Sequence, residues 1–525
     1  MKLIDILTTK PTEPWEQKGY ALPMFDIRTI RDKTFFEPTW LHFGAGNIFR
    51  AFPAAVLQNI LDKGEYDRGV IVAEGYDYEV IDKVYRPHEN LSLLVTLGAD
   101  GAVEKRVIAS ITESLKADYQ FKEDWDRLKD IFISPSLQMV SFTITEKGYS
   151  VPADDPSCGL APLALIGKIT TLLYERFKAG AGKLTLQSMD NCSRNGDVVQ
   201  SAVLSYAKAW AATGLVPNLF LEYLSDETRV SFPWSMIDKI TPYPDSTVQK
   251  LLQGDGFEDS QISKTEKGGH TAAFINAEET EYLVLENNYP AGRPPLELGG
   301  VIFTEREKVE QIEKMKVCTC LNPLHTTLAI FGCLLGYTRI CEEMRDDDLV
   351  GLITNMAYKE AMPVVTDPGI IRPEDFLEAV IKKRLPNPFM PDSPQRIATD
   401  TSQKLPIRFG ETMREYIKRG MDVEKLCLIP LTLAAYARYL KGIDDDGNHF
   451  APSPDPKLEE LSSLVSGLDV MTNKQDMSIL SKLFSRADVF GLDLYEAGLG
   501  DKLEAMAAQL YSGTGAVRRT LKEYL

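Results

Sequence analysis

Between about residues 35 and 305, short apolar runs of strand character alternate with longer runs of helical spacing, and after about residue 306 the strand-like runs stop. The strand-like runs include Gly69 to Glu74, Leu91 to Leu97, Gln138 to Thr145 and Leu184 to Ser188. Between them lie helical patterns such as Ala161 to Phe177 and Asp197 to Thr213. Strands alternating with helices demand crossover connections and hence a mostly parallel sheet. From Glu307 onward, segments beginning near Asp346, Pro373, Thr412, Val423, Pro456, Asp476 and Leu494 read as helices. Proline clusters at Leu385–Pro394 and Ala451–Pro456 punctuate them. The expected organisation is an α/β domain over 1–305 and a mostly α-helical domain over 306–525. No internal repeat is visible.

The first strand of the α/β part runs into glycines: Leu41-His-Phe-Gly44-Ala-Gly46-Asn47-Ile48-Phe49-Arg50, then a helical pattern from Ala51 that ends at Gly64. Strand, glycine turn and helix place a pyrophosphate at a helix N-terminus. Gly44, Gly46, Asn47 and Ile48 are therefore candidate cofactor-binding positions on a Rossmann-like domain. Phe49 stands where the usual third glycine would be, so a generic strand-to-helix turn is an equal reading of this segment alone. The next strand, Gly69–Glu74, ends in an acid. Glu74 is placed to accept hydrogen bonds from the adenosine ribose and to repel a 2′-phosphate, which favours NAD over NADP. Asp77 is the rival for that role, and a solvated loop glutamate is the plain alternative.

The helical part opens on Lys316-Val-Cys-Thr-Cys-Leu-Asn322-Pro-Leu-His325, followed by an apolar run through Gly336. Three polar groups at the head of a buried helix are costly unless something pairs with them. A desolvated lysine can exchange a proton near neutral pH, and Asn and His can hydrogen-bond an oxygen whose charge is changing. That set suits oxidation of an alcohol or reduction of a carbonyl. A capped helix start with a satisfied histidine is the plain alternative. The segment would lie at a cleft between the two domains, where ligand sites are favoured.

Composition narrows the rest. The formal charge is −18 from 58 Lys and Arg against 76 Asp and Glu, which argues against nucleic acid or an anionic membrane surface as a partner. The N-terminal residues do not resemble a signal peptide, and no apolar run suggests a membrane span. Seven scattered cysteines read as reduced thiols of a cytoplasmic protein. Cys318 and Cys320 beside His325 could be imagined as metal ligands, but no second Cys or His pair lies at ligand spacing.

Two further strand ends carry polar side chains where parallel sheets place ligands. Asn191, in Ser188-Met-Asp-Asn191-Cys-Ser-Arg-Asn195-Gly196, could donate to a carbonyl oxygen or touch the nicotinamide ribose. An Asx turn before the next helix is the alternative. Asp238, in Phe232-Pro-Trp-Ser-Met-Ile-Asp238-Lys239-Ile-Thr-Pro242, either lines the site or forms a surface ion pair.

Taken together, these motifs resemble the mannitol dehydrogenase family of polyol-specific long-chain dehydrogenases. The resemblance rests on His42 to Arg50, Thr143-Ile-Thr-Glu-Lys-Gly-Tyr149, Ser188 to Asn191 with Asn195-Gly196, Phe232 to Pro242, Asn322-x-x-His325, and Asn387-Pro388 with Arg396-Ile-Ala. It implies metal-independent hydride transfer between a secondary alcohol and a ketone, with NAD the expected cofactor and a small sugar acid or polyol as substrate. It implies Lys316 as the proton-transfer residue, Asn191 and Asn322 as holders of the substrate oxygen, and His325 as an orienting group. Asp238 would line the site, and Arg396 and Lys404 would hold the far end of the open-chain sugar. Segments Phe274 to Glu278, Tyr282 to Pro294 and Arg384 to Pro388 look most like the branch acting on mannonate and fructuronate. Tagaturonate and mannitol are the alternative substrates. Members of the family are monomers or homodimers.

One departure stands out. The family usually has four residues between the lysine and the asparagine, and here there are five, Val317 to Leu321. On a regular helix one extra residue turns Lys316 by about 100°. A π-bulge near Cys318 to Cys320 would absorb it. Without one, Lys316 would not be the proton-transfer residue, and a non-catalytic nucleotide-binding homologue would be the reading from another class.

Overall fold

A computed structural model of the chain describes residues 1–8, 12–470, 472 and 475–525. It divides into two compact units, Met1–Gly98 with Ala102–Glu310, and Ala99–Gly101 with Gln311–Leu525.

The first unit is built on six parallel strands: β1 (Trp40–Phe43), β2 (Val70–Glu74), β3 (Ile111–Lys116), β4 (Met139–Phe142), β5 (Leu184–Ser188) and β6 (Val230–Ser231). Their order across the sheet is β3-β2-β1-β4-β5-β6, the doubly wound Rossmann order. β2 reads as a near-continuous apolar run because both faces are covered, while β3 and β5 carry buried Thr112, Ser114, Thr185 and Gln187 among their apolar residues. Leu41, Phe43, Val140 and Phe142 point into a core shared with Trp125, Leu128, Ile169 and Leu172. Trp40, Val70, Val72 and Met139 point into the opposite core with Ala54, Leu57 and Ile60.

Leu91 to Leu97 does not belong to this parallel sheet. Ser92–Leu97 pairs antiparallel with Val103–Ile108, because the intervening connection is too short for a parallel crossover. Those two strands, with Phe274–Glu278 and Tyr20–Ala21, make a second, mixed sheet. Its Leu94, Ile108, Ile275 and Ala277 help cover the second face of the parallel sheet. A third sheet joins Ser235–Asp238, Tyr282–Glu286 and Ile302–Thr304.

In the second unit no named strand occurs among the described residues. Its central helix, Asn322–Leu334, is buried on nearly every side. The continuous helical stretch Arg306–Leu334 has a window of mean hydropathy 1.4, so by length and composition it is apolar enough to cross a membrane, contrary to the reading of the sequence. That window is 83% buried inside the protein, as expected of a core helix. Two helix starts also differ from expectation. From Val423 only the short 3-10 helix Val423–Lys425 forms, and the α-helix begins at Leu428, where the Glu360 carboxylate accepts the backbone N–H groups of Cys427, Leu428 and Ile429 at 2.7, 2.7 and 2.8 Å. The helix expected from Leu494 begins at Gly500, because Asp493 draws the N–H groups of Tyr495 and Glu496 into a turn and Gly498 adopts φ +82°.

Candidate functional site

In the nucleotide-type unit, the loop after β1 is shaped by Gly44. Its φ is +108°, and a Cβ there would lie 2.2 Å from the Thr143 carbonyl oxygen. Two residues on, Gly46 caps the short helix Asn47–Ala51, and a Cβ on Gly46 would point into open space. No side chain caps that helix start. The space beside Gly46 is thus free of protein atoms, and a turn of this shape fits the close approach of the pyrophosphate of a nicotinamide dinucleotide. Phe49 stacks on His42 with ring centroids 4.1 Å apart, filling the space that a third glycine would leave. Burial holds the His42 ring neutral, with a pKa of about 3, between the hydroxyls of Ser141 and Thr143 at 2.6 and 2.8 Å.

Glu74 closes the same turn. Its Oε2 accepts Ala45 N–H at 2.8 Å, and its Oε1 accepts Tyr76 and Asp77 N–H at 2.8 and 3.1 Å. It ties the loop after β1 to the loop after β2, while its charge stands at the carboxyl end of β2. Asp77 accepts the Thr265 hydroxyl at 2.6 Å. Asn47 accepts from the buried Arg50 at 2.9 Å, so its side chain is held against its own helix.

Asn191 follows β5 in a loop fixed on both sides. Asp190 accepts Ile144 and Thr145 N–H at 3.0 and 2.9 Å and the Tyr149 hydroxyl at 2.6 Å. Thr145 takes φ +63°, a strained conformation for a β-branched residue. Asn195 donates to Asp190 O and to Ser235 O and Oγ, and accepts Ser235 N–H. Gly196 permits this closeness, since a Cβ there would meet Phe232 O at 2.3 Å. The Asn195-Gly196 and Phe232-Pro-Trp-Ser motifs are therefore two halves of one packing contact. Asp238 ends the strand Ser235–Asp238 and is buried.

In the helical unit, Lys316–Cys320 is a π-helical turn, so the extra residue between Lys316 and Asn322 is accommodated in the way expected. The turn ends at Leu321 with φ −126°, and the α-helix restarts at Asn322. Lys316 is 4% exposed. Cys318 and Cys320 are buried, with thiol pKa values pushed up to about 12, first by burial. Among the described residues, no three His, Cys, Asp or Glu side chains are grouped to hold a metal ion.

His325, one turn into the helix, sits in a cationic surrounding. Burial, and then the charges of Arg408, Arg384, Arg396 and Lys404, hold its pKa down to about 3. Its ring is neutral at physiological pH and can take part in hydrogen bonds without charge. Asp392 Oδ2 lies 3.7 Å from His325 Nε2, too far for a hydrogen bond, and Asp392 also pairs with Arg396. Lys404 donates to the carbonyls of Ile397, at 3.1 Å, and Thr399. Burial, then Arg408, lowers the Lys404 pKa to about 8. Arg408 donates to Asn322 O at 3.4 Å and to the Thr326 hydroxyl. Of this group, the sequence reading named His325, Arg396 and Lys404 and missed Arg384, Asp392 and Arg408. Arg384 and Arg408 each lie on a further π turn, Val380–Arg384 and Pro406–Gly410, and an arginine in a mixed helical pattern carries no mark of such a turn.

The mannitol dehydrogenase Rossmann domain is matched over residues 38–298 and the mannitol dehydrogenase C-terminal domain over 308–510. The chain belongs to the mannitol dehydrogenase family. It is 49% identical to the D-mannonate oxidoreductase of Thermotoga maritima, over 98% of each chain. Among solved structures, it is similar to a D-sorbitol dehydrogenase in substrate-free form, with TM-score 0.80, 25% identity and 99% of each chain covered. It is also similar to Pseudomonas fluorescens mannitol 2-dehydrogenase in a ternary complex with NAD and D-mannitol, with TM-score 0.69, 26% identity and 96% of each chain covered. As a member of this family the chain is an NAD-dependent secondary-alcohol oxidoreductase of the sugar and polyol type.

Proposed function

We propose that the chain reduces the open-chain keto acid D-fructuronate to D-mannonate with NADH, and runs the reverse oxidation. The observation that carries the acidic substrate is the gathering of Arg396, Lys404 and Arg408 about a neutral His325, with Asp392 paired to Arg396 and Asp400 and Asp455 acting on Lys404. The extent of the likeness to a D-mannonate oxidoreductase supports the particular acid.

Bound NADH supplies the hydride. Lys316 gives a proton to the nascent alkoxide in reduction and takes it back in oxidation. Asn191 and Asn322 donate hydrogen bonds to that oxygen as it gains charge. His325 orients a neighbouring hydroxyl, Asp238 lines the site, and Arg396 and Lys404 hold the far end of the substrate. Gly44, Gly46, Asn47 and Ile48 carry the cofactor. Glu74 favours NAD over NADP, since its charge opposes a 2′-phosphate. The division of labour between residues 1–305 for the cofactor and 306–525 for the substrate belongs to the same proposal. So do a cytoplasmic location, supported by seven free thiols, and a monomeric or homodimeric state.

The test is NADH oxidation with D-fructuronate, D-tagaturonate and D-fructose in parallel. D-fructuronate is expected to give the highest kcat/KM. A clear preference for D-fructose would overturn the acidic substrate, and a preference for D-tagaturonate would change the acid.

A further inference from the structure

We propose that Arg408 reads the carboxylate of the substrate and sets the preference for a sugar acid over a neutral sugar; this rests on the sugar-acid reading above. Arg408 lies on the π turn Pro406–Gly410, between the helices Thr401–Leu405 and Glu411–Lys418. Its Nη1 docks on the first turn of the central helix, against Asn322 O at 3.4 Å and the Thr326 hydroxyl. That contact uses one corner of the guanidinium. The edge formed by Nε and Nη2, which matches the two oxygens of a carboxylate, is left for a second partner. No carboxylate pairs with Arg408 among the described residues.

The surroundings point the same way. Lys404 precedes Arg408 by four residues, and its ammonium bonds only to carbonyl oxygens. Two cations so spaced repel each other, and here both are partly withdrawn from water. Of the acids nearby, Asp392 is already engaged by Arg396, and Asp400 and Asp455 act on Lys404 through space without a bond to it. A neutral polyol would leave this field unanswered. A carboxylate at the end of an open-chain keto acid would answer it, with Arg408 supplying fixed geometry and Lys404 a point charge. Arg408 reaches Asn322 through the protein as well, so it couples the acidic end of the substrate to the turn that carries the reacting end.

The experiment compares wild type, Arg408→Met and Arg408→Lys on D-fructuronate and D-fructose, with NADH binding and melting midpoint measured alongside. In Arg408→Met the ratio of kcat/KM for the acid to that for the neutral ketose is expected to fall about tenfold or more, mostly through KM for the acid, the scale of one lost charge-assisted hydrogen bond. Arg408→Lys keeps the charge but loses the fork, and an intermediate fall is expected. An unchanged ratio in both variants would overturn the proposal and leave Arg408 as a packing partner of Asn322. If Arg408→Met does not fold, Arg408→Lys alone decides, and a wild-type ratio there overturns the proposal. A wild type that prefers the neutral ketose overturns the sugar-acid reading itself, and is recognised without any variant.

Discussion

Lys404 and Glu343 are both driven toward neutrality by burial, but with opposite consequences. Burial and Arg408 bring the Lys404 pKa down to about 8, so its ammonium is lost as pH rises through that value. KM for the keto acid is therefore expected to rise between about pH 7 and pH 9, with a smaller rise for a neutral ketose. Parallel profiles for the two substrates would contradict this. The stability contribution has the other sign. The folded chain releases this proton before the unfolded chain does, so Lys404 favours the fold more as pH climbs from about 8 toward the ordinary lysine range. Glu343 is fully buried against Gly332 of the central helix, neither of its oxygens has a hydrogen-bond partner, and its pKa is raised well above the carboxylate range by burial and then Asp346. Its stabilising neutral form is fully present below about pH 4.5, and its contribution falls as pH rises through the folded pKa. Glu343→Gln keeps the shape without the proton. It is expected to melt above wild type at about pH 8, with the gap closing toward about pH 4.5; a pH-independent gap would show that charge plays no part. Lys404 was legible in the sequence only through the family resemblance, and Glu343 was not legible, since nothing in one sequence marks which acid of the run Glu342-Glu343 is buried.

The π turn at Lys316–Cys320 absorbs the one residue by which this chain departs from the family's spacing between lysine and asparagine. It was legible because a one-residue excess before Asn322 must either rotate Lys316 away or be absorbed in a single widened turn. Deleting Val317, the least buried residue of that turn, should convert it to regular α-helix and leave both flanking segments in place. Turnover is expected to persist within about tenfold. Loss of turnover with NADH binding intact would mean that Lys316 is positioned by the bulge itself. The companion turns carrying Arg384 and Arg408 were not legible, since nothing in one sequence marks where an extra residue has been absorbed. The same limit explains Ser92–Leu97: alternation shows a strand but not its partner, and only the short connection to Val103 decided for a second, antiparallel pairing. Of the parallel strands β2 was the easiest to read, because burial on both faces leaves Val70 to Ala73 apolar, whereas β3, with Thr112, Glu113 and Ser114 among its apolar residues, was not read as a strand.

At the scale of the whole chain, the two-part organisation was legible from the place where strands give way to helices, and the compact units divide at Glu310 and Gln311. Net charge was less informative. A formal charge of −18 says nothing of a local cationic group, and it is this group that is proposed to separate an acidic from a neutral substrate. The glycine turn after β1 was legible in Gly44 and Gly46, but the bonding of Glu74 to three backbone N–H groups was not, and it makes that acid an organiser of the turn as well as a charge beside it. The most direct test of the account is NADH-dependent reduction of D-fructuronate by wild type and by Lys316→Ala, with NADH binding measured on both. Strong turnover by wild type, lowered by about a hundredfold or more in the variant while NADH still binds, is the predicted result. Turnover that survives in the variant would contradict the role given to Lys316, and absence of turnover in wild type would contradict the substrate.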